Sequence, residues 1–175
     1  GSFSLDVVVP VGGTRQPLTD GNRADYYLDV TDPDGMKQRL DALSMQNFLK
    51  VVDEALVQSG HTRADIDYLN ILHMKRSAHD FVLRELGLRE DQSFYLSDYG
   101  HMGQQDQPLS ILKGLETGRL KAGDLMVMVA AGIGYAWSAS VVRWGNLTLP
   151  PLSIVERGEN VAVTTSLHNG EREEG

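Results

Sequence analysis

The apolar residues of this chain switch repeatedly between two periods, and this alternation restricts the possible folds more than any other feature. Three short runs indicate strands: a β-branched run over 4–9, a segment over 66–73 that reads as buried on both faces, and a continuous apolar run over 125–131. Between them, apolar residues recur every three or four positions and predict amphipathic helices over 36–58, 78–86 and 109–115. Strands that alternate with helices predict an α/β fold.

Two further extended segments complete the predicted sheet. The segment 93–97 indicates a strand between the second and third helices, and 136–144 alternates like a paired neighbour of 125–131. Each predicted helix is followed closely by a glycine, namely Gly60, Gly87 and Gly118. We therefore expect a mixed five-stranded sheet with helices packed on it, while the polar region that contains 26–30 reads as a loop or excursion.

Composition limits the classes of function. The 175 residues are 41% apolar, enough for one domain, which we expect over 1–144, with 145–175 forming an appended arm and acidic tail. The net charge of −8 argues against nucleic-acid binding. The chain contains no cysteine, so it supplies neither a disulfide nor a thiol nucleophile. No stretch of about 18 apolar residues and no signal sequence is present, so we expect no membrane association and a cytoplasmic location.

Two of the five histidines occupy positions where chemistry is common in α/β folds. His73 ends one predicted strand, His101 follows the next, and the turn Gly132-Ile133-Gly134 follows a third. If these strands are neighbours, the three loops converge on one pocket at the sheet edge. The remaining histidines, His61, His79 and His168, have no such placement and are predicted to be surface or capping residues. No compact metal-ligand spacing is present, so no metal site is predicted.

Three segments, at 71–76, 99–103 and 118–144, carry a resemblance to a known family. Together they resemble the C-terminal half of thiolase-fold condensing enzymes of the 3-oxoacyl-[acyl-carrier-protein] synthase III (beta-ketoacyl synthase III) type. ILHMKR (71–76) stands where that family has a proline-histidine-glutamine-alanine-asparagine motif, and YGHMG (99–103) where it has glycine-asparagine-threonine. GRLKAGDLMVMVAAGIGYAWSASVVRW (118–144) is similar to the closing hairpin of the family and is the most specific of the three. The resemblance covers residues 1 to about 144.

The resemblance implies a decarboxylative Claisen condensation between an acyl-coenzyme A and a malonyl thioester, of the fatty-acid or polyketide type. In the family, a histidine and an asparagine donate hydrogen bonds to the thioester oxygen. His73 matches the histidine, and His101 stands at the asparagine, where a neutral imidazole can still donate if a neighbour fixes its tautomer. Gly132, Ile133 and Gly134 match a glycine turn that contributes a backbone N–H to the oxyanion hole.

The resemblance also implies partners. Lys75 and Arg76 are candidates to bind the phosphates of coenzyme A or an acidic acyl carrier protein, and the alternative is that they are solvated basic residues on a helix. No resident cofactor is expected, because coenzyme A thioesters are the substrates. The nucleophilic cysteine of the family belongs to an N-terminal half that is missing here, so the chain alone is expected to be inactive, and the full-length protein to form a homodimer. The alternative is a non-catalytic thiolase-fold subunit that binds acyl chains or stabilises a partner.

Overall fold

The computed structural model describes residues 5–133 and 135–145. The predicted appended arm and acidic tail, apart from Gly145, lie outside these residues. The helices are α1 (Pro33–Gln58), α2 (Arg76–Leu86) and α3 (Asp106–Glu116). The strands are β1 (Val7–Val8), β2 (Asp29–Val30), β3 (Tyr68–Ile71), β4 (Leu125–Gly132) and β5 (Ala136–Arg143).

The main sheet has three strands in the order β3-β4-β5. Strand β3 is parallel to β4, with Leu69 opposite Val127, and α2 and α3 lie between these two strands in the sequence. Strand β5 returns antiparallel to β4 and places Val141 opposite Val127. The predicted α/β class and the mixed sheet are confirmed.

The strands are grouped differently from the expectation of one five-stranded sheet. Among the residues that the structure describes, β1 pairs only with β2, in a separate two-stranded antiparallel ribbon. Pro10 follows soon after β1 and has no N–H to continue a ladder. The predicted strand 93–97 is reduced to one bridge between Ser93 and Leu69. Side chains form hydrogen bonds with backbone carbonyl groups that a longer β-ladder between this segment and β3 would use. The Ser93 hydroxyl donates to the Leu69 carbonyl at 2.8 Å, and the Arg119 guanidinium donates to the Ser93 carbonyl.

Helix α1 begins three residues before the predicted start. The Asp32 carboxylate accepts a hydrogen bond from the Gly35 N–H at 3.0 Å, and Pro33 occupies the first turn, where its missing N–H costs nothing. The apolar pattern could not show this start because the first turn is polar. Further along, Phe48 and Val52 are buried as the spacing predicted, whereas Leu43 is exposed.

Two apolar clusters hold the helices against the sheet. The larger joins α1 and α2 to β3 and β4 through buried residues that include Val52, Leu56, Leu69, Val82 and Val127. The smaller contains Tyr68, Leu120 and Met126, and partly buried residues of α3 and β5 pack against it.

Helix α3 lies very close to β3. A Cβ added to Gly114 would be only 2.8 Å from the Tyr68 ring, so a side chain there would force the helix away. The buried Tyr68 hydroxyl also donates to the Ser110 carbonyl at 2.7 Å. These contacts fix the position of α3, and therefore of Asp106 at its first turn, relative to the end of β3.

Candidate active site

The two predicted loops meet at a buried carboxylate. Asp106, the first residue of α3, is fully buried, and its Oδ2 accepts a hydrogen bond from the His73 N–H at 2.7 Å. The same Oδ2 lies 2.6 Å from Nδ1 of His101, and Oδ1 accepts from the Met102 N–H at 2.8 Å. The Asp106 side chain thus connects His73, two residues after β3, to the loop that precedes α3.

The Asp106 carboxyl is ionised at neutral pH. Burial raises its pKa, but the hydrogen bonds from Met102, His73 and His101 together outweigh burial and hold the pKa below its ordinary value. A carboxylate accepts hydrogen bonds and cannot donate them. The charge is therefore compensated by donors that converge on it from two loops.

A cavity of about 610 Å³ lies beside this carboxylate. His101 lines it, together with Gly132 and Ile133 at the end of β4 and Leu72 just after β3. Ala130, Ala131 and Ala136 make its wall mainly apolar. The structure therefore brings His101 and the described part of the predicted turn to one cavity, whereas Gly134 of that turn lies outside the described residues.

The His73 ring takes a different direction from the predicted common pocket. Of the described residues that line the cavity, none is His73. Its ring packs against Tyr95, with 5.1 Å between ring centroids, and its buried Nδ1 has no hydrogen-bond partner within the described residues. Only the backbone of His73 shares the carboxylate with His101. Tyr95 is itself held by a hydrogen bond from its hydroxyl to the Met74 carbonyl at 3.1 Å.

The predicted turn has ordinary backbone geometry where it is described. Ile133 is exposed at the cavity, and every non-glycine residue among those described has a negative φ. Isoleucine at this position is therefore not strained, because the turn does not require the left-handed region that glycine favours.

The two predicted phosphate-binding residues differ in availability. The Arg76 guanidinium forms ion pairs with Asp80 at 2.8 Å and with Glu90 at 2.6 Å, so its charge is already compensated. Lys75, just before α2, is exposed and forms no ion pair within the described residues. Of the two side chains, Lys75 is the one whose charge is free for a ligand.

His79 was predicted to be a surface or capping residue, and this prediction is wrong. It is 3% exposed on the inner face of α2, with its ring 5.2 Å from that of Tyr95. Burial lowers its pKa to about 4 from the ordinary 6.5, so the imidazole is neutral in the folded protein. The helical spacing from His79 to Val82 and Leu86, both buried, could have shown that His79 lies on the apolar face.

Because the pKa of His79 is lower in the folded state, we expect the chain to lose stability as pH falls from about 6.5 to about 4. In that window the unfolded state binds a proton that the folded state excludes, and the full effect is about 3 kcal/mol. Urea unfolding at half-unit pH steps measures it. His79→Gln should flatten the profile in this window. The Asp106 carboxylate does not interfere, because its lowered pKa places the stability that it loses at pH values below 3.8. An unchanged slope in His79→Gln would contradict the assignment.

Asp106 is the residue of the site that the sequence pattern did not reveal. The apolar spacing places the start of the helix at Leu109, three residues after Asp106. Aspartate and glutamate are enriched in the first turn of helices. That signal could have placed Asp106 in the first turn of α3, but not its contacts with His73 and His101.

Within residues 5–133 and 135–145, no group of three or more histidine, cysteine or acidic side chains is arranged to hold a metal ion. In the same part of the chain, no helix combines the length and the apolar character that crossing a membrane requires.

Curated relatives resemble this chain over part of their length. A beta-ketoacyl-[acyl-carrier-protein] synthase III from Symbiobacterium thermophilum is 30% identical over 152 residues, which cover 83% of this chain and 43% of that protein. The protein of the same name from Staphylococcus haemolyticus is 35% identical over 97 residues, 55% of this chain and 30% of that protein. The chain thus spans less than half of the length of these relatives.

A solved structure and a family model also match this chain, and both carry the same synthase III name as these relatives. The crystal structure of 3-oxoacyl-(acyl carrier protein) synthase III from Pseudomonas aeruginosa PAO1 matches with a TM-score of 0.66 over 82% of this chain and 42% of that chain, at 20% identity. The family model described as 3-oxoacyl-[acyl-carrier-protein (ACP)] synthase III C terminal matches residues 56–144, from the end of α1 through β5. That segment contains the whole three-stranded sheet, the Asp106 carboxylate and the cavity. The chain therefore belongs to the 3-oxoacyl-[acyl-carrier-protein] synthase III C-terminal family.

Proposed function

We propose that this chain is the C-terminal half of a beta-ketoacyl synthase III-like acyltransferase that condenses an acyl-coenzyme A with a malonyl thioester and releases carbon dioxide. The observation that carries the proposal is the meeting of the two family motifs at Asp106, beside a cavity that ends at the β4–β5 turn. The relatives are named beta-ketoacyl-[acyl-carrier-protein] synthase III, and the family match covers the part of the fold that builds the cavity.

The nucleophile of the reaction comes from elsewhere in the proposed enzyme. This chain contains no cysteine, and it spans 43% of the Symbiobacterium relative. An N-terminal half would supply the thiol that carries the acyl group, and the cavity beside His101 would receive the thioester. The chain by itself would then be inactive, and the complete protein would act as a homodimer.

The remaining roles follow from the positions of the residues. His73 and His101 are the proposed catalytic residues. A backbone N–H of the turn that contains Gly132, Ile133 and Gly134 would face the thioester oxygen, where fixed donors stabilise developing charge. Lys75 would contact the phosphates of coenzyme A or an acidic acyl carrier protein. Coenzyme A enters as part of the substrate, and no resident cofactor is needed.

For His73 to act directly, its ring must move. A donor to the thioester oxygen has to lie within hydrogen-bond reach of it, and the ring now packs against Tyr95 outside the cavity lining. The unpartnered Nδ1 supports such a rearrangement, because a buried polar atom without a hydrogen bond costs about 1–3 kcal/mol that a new contact can recover.

Covalent labelling tests the function. We expect the polypeptide that joins this chain to an N-terminal half to form a covalent acyl-enzyme with radiolabelled acetyl-coenzyme A, and to release carbon dioxide when malonyl thioester is added. The 175-residue chain is the matched control and should stay unlabelled, because it has no cysteine. A longer polypeptide that remains unlabelled with acyl-coenzyme A of any chain length would instead support a non-catalytic thiolase-fold subunit.

A further inference from the structure

The contacts of Asp106 determine which ring nitrogen of His101 carries the proton. Nδ1 lies 2.6 Å from Oδ2 of a carboxylate that already accepts hydrogen bonds from two backbone N–H groups. Because an ionised carboxylate can only accept, Nδ1 must be the donor in this contact. In the neutral imidazole the other nitrogen, Nε2, then has a lone pair and no proton.

Nε2 is also the ring nitrogen that a bound molecule can reach. The His101 side chain is 53% exposed and lines the cavity, while Nδ1 is occupied by Asp106. Within the described residues Nε2 makes no hydrogen bond. A neutral His101 therefore presents an acceptor to the cavity. An asparagine amide at the same position would present an N–H₂ donor, so the two residues are not chemically equivalent here.

We propose that Asp106 is a positioning residue that makes His101 a proton acceptor at Nε2, and that His101 takes the proton from the thiol that attacks the acyl thioester. This inference rests on the proposed acyltransferase function and assigns His101 to the acylation step. It replaces the expectation that His101 donates to the thioester oxygen, because the tautomer that Asp106 selects cannot donate from Nε2 while neutral.

The proton balance of this step is complete. The S–H proton moves to Nε2 as the new S–C bond forms at the thioester carbonyl. The imidazolium is stabilised by the adjacent carboxylate, as in other carboxylate–histidine pairs. When the C–S bond to coenzyme A breaks, the imidazolium returns the proton to the leaving thiolate, so His101 ends the step neutral.

A nuclear magnetic resonance measurement of the tautomer tests the inference without any assay of activity. We expect long-range ¹H–¹⁵N correlation spectra of the ¹⁵N-labelled 175-residue chain at pH 8 to show His101 protonated at Nδ1. His61, whose ring makes no hydrogen bond within the described residues, is the internal reference and should show the Nε2–H form that predominates in unconstrained imidazole. The spectrum of His101→Asn, which lacks one set of ring signals, assigns the resonances.

The Asp106→Ala variant should shift the His101 signals to the pattern of His61. A structural role alone would alter stability without selecting a tautomer. Should Asp106→Ala fail to fold, the wild-type spectrum decides by itself, since His101 protonated mainly at Nε2 in the folded chain would overturn the inference. The proposed function can fail independently of this inference. If His101 is protonated at Nδ1 but the longer polypeptide forms no acyl-enzyme, the assignment of the His101–Asp106 pair stands and the acyltransferase function is rejected.

Discussion

Leu56→Ala is expected to destabilise the chain by about 2–5 kcal/mol, the usual cost of truncating a buried leucine in a core that cannot collapse around the gap. Leu56 is 2% exposed and belongs to the cluster that joins α1 to α2 and the sheet. Its loss leaves a cavity between layers rather than at a surface. The relaxation that could fill this cavity is limited, because β3 and β4 hold their register through backbone hydrogen bonds.

The adjacent residue gives a matched control. Val57 lies on the same helix but is 76% exposed, so Val57→Ala removes its two Cγ atoms from water, whereas Leu56→Ala removes Cγ and both Cδ atoms from the core. We expect its free energy of unfolding to stay within about 0.5 kcal/mol of the parent chain. Chemical unfolding followed by circular dichroism measures both variants. Equal effects of the two substitutions would show that α1 does not pack on the sheet through this face.

The spacing of the apolar residues along the chain predicted most of the helices and strands, because the residues that become buried recur at helical or strand intervals within each element. β4 and β5 lie within one residue of their predicted bounds, since a hairpin of eight-residue strands has a strong sequence signature. α2 ends at Leu86 as predicted, because Gly87 adopts the left-handed conformation that glycine permits. The sequence-specific likeness to a known family was concentrated in the same hairpin.

What the sequence could not predict depends on long-range contacts of polar side chains. Ser93 and Arg119 use the backbone groups of a predicted strand, and this competition is invisible in an apolar pattern. The candidate site shows the same limit. The position of His101 after a predicted strand marks it as a candidate, but its tautomer depends on Asp106, which folding brings against it. The direction of the His73 ring likewise depends on Tyr95, a residue that no motif marked.

The rate of acyl-enzyme formation in the longer polypeptide should fall by 10²-fold or more in both His101→Ala and His101→Asn. A positioned proton acceptor contributes about 10²–10⁴-fold, and asparagine restores an N–H₂ donor but cannot take a proton. The rate should also fall by a large factor in Asp106→Asn. The analogous aspartate-to-asparagine substitution in serine proteases lowers kcat about 10⁴-fold, because the histidine then adopts the wrong tautomer. Rapid-quench measurement of coenzyme A release gives the rates of all three variants.

The double variant His101→Asn/Asp106→Asn separates a shared role from two independent ones. If Asp106 acts only through His101, the double variant should be no slower than His101→Asn, because groups that work as a unit are not additive. Multiplied defects would mean that Asp106 also acts through the His73 N–H that it binds. Near-normal acylation by His101→Asn would show that a hydrogen-bond donor suffices at this position, and the site would then operate with the histidine-asparagine chemistry that the family motif implies.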